Sequence, residues 1–282
     1  MNWYKDLINY FKARRKGTTP KVSVLIWDNI NSDFLDKQLH VDIYLPPKGS
    51  YHLFQSPGLL ILNDGQDLKT MNFTKILEDL YASGSIPPIY VAAVHADQDR
   101  LYDYGIAHQA DYKNRGNKAS EYAQFITKEL LPKIRNQFKI NMPATIAGFS
   151  LGGLSAFDIC WNQPNLFNKV GVFSGALWWR SKDFDPNDPD ANRIAHEMVA
   201  TSKHRKGLRF WFQTGTKDES SDRNNNGVID AIDDTLDLIK ALKAKGYIKP
   251  KGMEYVEVVD GEHNPQTWAK VMPDFLKWAF GK

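Results

Sequence analysis

A serine between glycines, a late histidine and an acid between them in the chain are the residue types that perform nucleophilic acyl transfer. The serine is Ser150, in Gly148-Phe149-Ser150-Leu151-Gly152-Gly153. A hydroxyl attacks a carbonyl once a base removes its proton, and an imidazole does this best when a carboxylate orients it. His263, in Asp260-Gly261-Glu262-His263-Asn264-Pro265, is the candidate base. The candidate carboxylates lie in Thr214-Gly215-Thr216-Lys217-Asp218-Glu219. Asp218 is the preferred orienting acid and Glu219 its one-residue rival. Ser, acid and His follow one another in that order along the chain.

These residues need elements to hold them. Ala144-Thr145-Ile146-Ala147 is short, apolar and β-tolerant, and apolar residues recur at helical spacing from Leu154 to Trp161. Ser150 therefore falls on a sharp strand-to-helix turn, where Gly148 and Gly152 relieve crowding. The free N–H groups of that helix start point to where an oxyanion develops. Leu208–Gln213 and Met253–Val259 read as strands ending just before the acids and His263. Functional groups of open α/β sheets gather at this carboxyl edge. The remaining histidines, His40, His52, His95, His108, His196 and His204, carry no such positional signal and are expected to be structural or solvated.

Several further segments follow in order: Leu60-Ile61-Leu62-Asn63-Asp64-Gly65-Gln66, Glu129-Leu130-Leu131-Pro132, Gln163-Pro164-Asn165-Leu166-Phe167, Ser174-Gly175 and Gly261-Glu262-His263-Asn264. With the Ser150 elbow, they make the chain resemble an esterase family of α/β-hydrolases. That family includes enterochelin (siderophore) esterases, feruloyl and acetyl-xylan esterases, S-formylglutathione hydrolases and mycolyltransferases. The resemblance runs from about Val22 to Phe280. It implies that the backbone N–H groups of Gln66 and Leu151 form the oxyanion hole, and that the loop of Arg100 and Tyr104 lies near the substrate. Siderophore and acylated-carbohydrate esters are the substrate classes it implies.

Composition bounds the fold. The chain has 282 residues, enough for one large α/β unit with a sizeable core. Candidate strands at Val22–Trp27, His40–Leu45, Gly58–Leu62, Ile89–Val94, Thr145–Ala147, Val170–Phe173, Leu208–Gln213 and Met253–Val259 alternate with helical patterns. The expected fold is a mostly parallel sheet of about eight strands with helices on both faces, the first two strands forming an antiparallel edge. Residues 1–20 are expected to be a helical extension preceding an esterase domain over 21–282. The net charge of +3 and short basic runs point away from nucleic acid. The single cysteine, Cys160, allows no intrachain disulfide and reads as a packed thiol. No segment approaches the ~20 apolar residues of a membrane span, and the N-terminus lacks an export-signal pattern. The chain is therefore expected in the cytoplasm. The Trp178 to Lys206 excursion is expected to cap the active edge, with Trp178 and Trp179 either walling a pocket or packing.

One stretch lies outside this scheme. Asp222-Arg223-Asn224-Asn225-Asn226-Gly227-Val228-Ile229-Asp230-Ala231-Ile232-Asp233 has the spacing of a twelve-residue calcium loop. Asp222, Asn224, Asn226, Asp230 and Asp233 offer side-chain oxygens and Val228 its carbonyl. Position twelve is Asp rather than Glu, and a strand rather than a helix leads in. A structural calcium ion is expected, and no organic cofactor. The expected function is a serine carboxylic-ester hydrolase. The alternatives are an acyltransferase using the same acyl-enzyme and an idle hydrolase fold that binds a ligand.

Overall fold

The computed structural model describes residues 20–47, 57–248 and 252–281. The extension expected over 1–20 lies, apart from Pro20, outside the described residues, as does His52.

Eight strands form one sheet: β1 (Ser23–Ser32), β2 (Lys37–Leu45), β3 (Gly58–Asn63), β4 (Ile89–Val94), β5 (Ala144–Phe149), β6 (Phe167–Phe173), β7 (Arg209–Lys217) and β8 (Met253–Glu262). Their order is β1-β2-β4-β3-β5-β6-β7-β8. β2 pairs antiparallel with β1 and β4, and the neighbours from β4 to β8 all pair in parallel. All eight expected strands are present. Several run further than their apolar cores, because bulges carry the pairing onward. One such break lies between Trp27 and Ile30, where Asn29 has φ 58°.

The helices are α1 (Phe73–Ser83), α2 (Arg100–Asp103), α3 (Ala119–Gln124), α4 (Leu131–Phe138), α5 (Leu151–Asn162), α6 (Ile194–Thr201), α7 (Asp230–Ala244) and α8 (Pro265–Phe280). A π-helical segment, Phe125–Leu130, joins α3 to α4. Strand side chains alternate between faces, so neighbouring residues enter two different cores. Leu59, Ile61, Phe210 and Phe212 pack with Phe125, Ile134, Leu154, Trp161 and Leu238 from α4, α5, α7 and the π segment. Leu60, Leu62 and Trp211 pack with Phe73, Leu77, Met272 and Phe275 from α1 and α8. The central strands are apolar throughout because both faces are covered. Cys160 is buried in the first core as a free thiol, and burial raises its pKa far above that of an ordinary thiol. Among the described residues, no helix is long and apolar enough to cross a membrane.

The topology has a direct chemical consequence. Six strands, β3 to β8, end on the same edge, and the residues that follow them are Asp64, His95, Ser150, Ser174, Asp218 and His263. All six carry polar side chains, gathered by strand direction alone.

Candidate active site

Ser150 joins β5 to α5 with φ 53° and ψ −121°, a sparsely populated conformation for a residue with a side chain. Its surroundings over-determine that strain. Its N–H donates to the Phe173 carbonyl at 2.8 Å, and its carbonyl accepts from Gly153, Leu154 and Ala176 at 3.0, 3.2 and 3.1 Å. A Cβ on Gly148 would collide with the Gly152 backbone, and one on Gly152 would strike the Asp64 carboxylate. Glycine is thus required on both sides for packing.

β7 and β8 set the acid against the histidine. Their register shifts after Gly215 and resumes at Lys217 opposite Glu262. The next residues of the two chains are Asp218 and His263. Asp218 Oδ1 lies 4.0 Å from His263 Nδ1, and the Asp218 side chain is fully buried. Its Oδ2 accepts from the Gly215 N–H at 2.9 Å, and Oδ1 has no hydrogen bond of normal geometry among the described residues. Burial pushes the Asp218 carboxyl above its usual range, with the Gly215 N–H opposing. Glu219 instead faces the start of α7, where the Ala231 N–H meets it.

His263 is held from behind. Asn264 caps α8, its side chain accepting from the Thr267 N–H at 2.9 Å, and Pro265 opens the helix. The Trp268 ring meets the imidazole edge-on, with centroids 5.5 Å apart, and stacks on Phe149 at 4.7 Å. Its indole N–H donates to Ser174 Oγ at 3.0 Å. Burial lowers the His263 pKa below the ordinary 6.5; the Asp218 charge opposes this and Arg100 adds to it.

The two N–H groups expected to hold an oxyanion both precede the first bond of a helical turn. The first such bond in the turn after β3 is from Asp67 to the Asp64 carbonyl, beyond the Gln66 N–H. In α5 it is from Gly153 to the Ser150 carbonyl, beyond the Leu151 N–H. Helix geometry leaves such groups without an internal partner.

A buried network secures the Gln66 turn. Asp64, at φ 62°, takes a two-pronged ion pair from Arg100: Nε to Oδ1 at 2.7 Å and Nη2 to Oδ2 at 2.9 Å. Arg100 also reaches the Phe149 carbonyl at 3.3 Å. The Asp64 N–H donates to the Tyr104 hydroxyl at 3.3 Å. Asn63 bridges the Gly152 carbonyl, at 2.8 Å, and the Tyr122 hydroxyl, at 2.7 Å. Arg100 and Tyr104 are thus engaged in holding the turn. Asn63, Asp64 and Tyr122 carry no spacing signal in the sequence that marks these tasks, since their partners lie far away along the chain.

Ser150, His263, Asp218 and Glu219 line one cavity of about 300 Å³, together with Ser174, Ala176 and Trp178. The paired tryptophans divide their tasks. Trp178 lines the cavity, and Trp179 is fully buried in the core. Arg115 lies 5.0 Å above the Trp178 ring and 4.9 Å above that of Trp179.

The Asp222–Asp233 segment forms a compact loop with Gly227 at φ +83°. Asp222 accepts from the Asn226 and Gly227 N–H groups, and Asn226 Oδ1 accepts from the Val228 N–H at 2.8 Å. The amides of Asn224 and Asn226 both meet Asp233 Oδ2, at 3.0 and 2.8 Å. Asp230 turns to Arg223, which also pairs with Asp190 and Asp234. The loop is thereby tied to the excursion after Trp178.

Residues 32–279 match the family described as Putative esterase. The uncharacterized protein YbbA of Bacillus subtilis is 22% identical over 247 residues, covering 85% of this chain and 92% of that one. The enterobactin esterase FES from Shigella flexneri superposes with a TM-score of 0.67 at 20% identity, over 91% of this chain and 58% of its own. The chain therefore spans a little over half the length of the Shigella enzyme. An IroE-like serine hydrolase from Shewanella oneidensis gives a TM-score of 0.67 at 22% identity, over 92% of this chain and 80% of that one. With its elbow, its strand order and a family match over most of its length, the chain belongs to the Putative esterase family, enzymes of the α/β-hydrolase fold.

Proposed function

We propose that this protein hydrolyses carboxylic esters through an acyl-enzyme on Ser150. The observation that carries the reading is that the strained Ser150 elbow, His263 and the buried Asp218 share one cavity at the carboxyl edge of the sheet. His263 takes the Ser150 proton as Oγ attacks the ester carbonyl, and it then protonates the leaving alcohol. Water attacks the acyl-enzyme by the same route in reverse. Asp218 holds the imidazole with Nδ1 protonated and Nε2 free to act. The 4.0 Å separation exceeds hydrogen-bond length, and contacts of this kind tighten as substrate fills the site. The N–H groups of Gln66 and Leu151 stabilise the oxyanion, and losing one such donor costs on the order of 3–4 kcal/mol of barrier.

A cavity of about 300 Å³ walled by Trp178 suits a short acyl group or a single aromatic ring. Siderophore esters, with acylated carbohydrates as the second class, are the proposed substrates. The neighbouring FES, an enterobactin esterase, supports the siderophore class by likeness of fold. The test is a fluorophosphonate probe followed by peptide mass analysis. One adduct on Ser150, together with turnover of a p-nitrophenyl ester, is expected. Turnover without a Ser150 adduct would overturn the mechanism.

The Asp222–Asp233 loop is assigned a structural calcium ion. Its candidate donors are all oxygen, as a hard cation requires, and the Asn224 and Asn226 side chains already gather at Asp233, while Asp222 and Asn224 accept from the Asn226 N–H. Asp230 meets Arg223, and its loop position, nine, is one that commonly reaches calcium through water. The loop starts four residues after Asp218, so the ion would act by steadying that segment rather than by chemistry. Calcium at about a hundred times its Kd should raise the Tm by about 5 °C. Melting curves identical in calcium and in chelator, repeated after refolding in chelator, would refute the ion.

A further inference from the structure

On the far side of the Gln66 turn, β1, β2 and β4 bring together two histidines and two aspartates that the ester chemistry leaves unused. The His95 N–H donates to the His40 carbonyl at 3.0 Å, which sets the two imidazoles side by side with centroids 4.1 Å apart. Asp42 lies two residues along β2 from His40, and so on the same face. Its Oδ1 is 3.0 Å from His40 Nε2, and its Oδ2 is 2.9 Å from His95 Nε2. The other nitrogen of His40, Nδ1, lies 2.5 Å from Asp28 Oδ1 on β1.

A neutral imidazole carries one N–H. If Asp28 accepts it at Nδ1, His40 Nε2 is left as the lone-pair nitrogen, the form of the ring that ligates a metal ion. Carboxylate, imidazole, then ion is the usual arrangement around a metal-binding histidine. One donor atom from each of His40, Asp42 and His95 lies within 4.8 Å of the other two, and a tetrahedral ion with ligand bonds of roughly 2.0–2.1 Å needs its donors about 3.3 Å apart, so a modest closing of the side chains completes the set. Asp42 is partly buried, while His40 and His95 are 35% and 25% exposed, leaving a side open for entry of the ion and a water ligand. Two imidazole nitrogens with one carboxylate favour a transition-metal ion over calcium or magnesium.

We infer that His40, Asp42 and His95 form a binding site for a divalent transition-metal ion of the zinc class, with Asp28 orienting His40. None of the four lines the Ser150 cavity, so the ion is not a reactant there. It sits against the Gln66 turn nonetheless. A Cβ on Gly65 would lie 2.7 Å from the His95 ring, and the Ala96 N–H donates to Gln66 Oε1 at 3.0 Å. An ion at His95 would pin the end of β4 on which that turn rests. The inference stands independently of the ester-hydrolase reading.

Titration calorimetry of the tag-free, full-length protein with Zn²⁺ tests it. Wild type should bind one equivalent saturably, with the same isotherm in millimolar Ca²⁺. His95→Gln and Asp42→Asn should lose that binding, and Asp28→Asn should weaken it by about 10–100-fold. His204→Gln should bind like wild type. Co²⁺ added to wild type should give the strong visible absorption of a four-coordinate ion, a readout that needs no variant to fold. Lack of saturable Zn²⁺ binding, undiminished binding in His95→Gln, competition by Ca²⁺, or a weak six-coordinate Co²⁺ spectrum would each overturn the site.

Discussion

Ser150→Ala and His263→Ala should each lower kcat on a short-chain p-nitrophenyl ester by about 10⁵–10⁶-fold, with the double variant falling little further. In the proposed mechanism the two groups act as a unit: without the base the hydroxyl keeps its proton, and without the hydroxyl the base has nothing to deprotonate for attack. Losses at such a unit do not add, and either deletion in a serine hydrolase costs roughly 10⁶ in kcat. The residual rate should exceed that of water, because the Gln66 and Leu151 N–H groups and the cavity survive both changes. Neither variant should unfold. Ser150 is fixed by backbone bonds that alanine retains, and His263 follows a strand end and precedes a capped helix that do not depend on its ring. Single-turnover kinetics alongside thermal melts would check this. A Ser150→Ala protein keeping a tenth of wild-type kcat would remove the serine from the mechanism, and losses that multiplied in the double variant would separate the two residues.

The sequence makes the sheet legible for a simple reason. Central strands buried on both faces must be continuously apolar, so Leu59–Leu62 and Ile89–Val94 announce themselves. Strand ends are less visible. β7 extends through Thr214-Gly215-Thr216-Lys217 and β8 through Asp260-Gly261-Glu262, residues that read as turns in isolation. Pairing across a bulge makes them strand, and pairing is a property of two segments together. The same distinction governs the site. Ser150 and His263 are legible because each is set by its own local element, an elbow and a strand tip. Asp64, Arg100 and Asn63 have functions defined by partners between 36 and 89 residues away, so no spacing rule reveals them. His40 and His95 meet through an antiparallel register between β2 and β4. Until that register is known, each is a lone histidine with no claim to chemistry.

Asp218→Asn should lower kcat by about 10⁴-fold, whereas Glu219→Gln should change it by roughly threefold or less, under 1 kcal/mol of barrier. The acids are adjacent in sequence but face different partners: Asp218 sets its Oδ1 4.0 Å from His263 Nδ1, and Glu219 meets the Ala231 N–H. An amide at 218 keeps the shape but cannot provide an anion for the imidazolium, and by donating its own N–H it favours the wrong tautomer. The pH profile gives a second, independent readout. His263 must be neutral to act, and its pKa lies below 6.5, so wild-type kcat/KM should hold level above that value and fall tenfold per unit once pH drops below the shifted pKa. The Asp218 charge is the influence that raises the His263 pKa against burial. Removing it should move the acid limb of Asp218→Asn to still lower pH, while Glu219→Gln keeps the wild-type profile. A reversed ranking of the two variants would transfer the orienting function to Glu219. Two mild effects with an unmoved acid limb would leave a serine–histidine pair working without an acid.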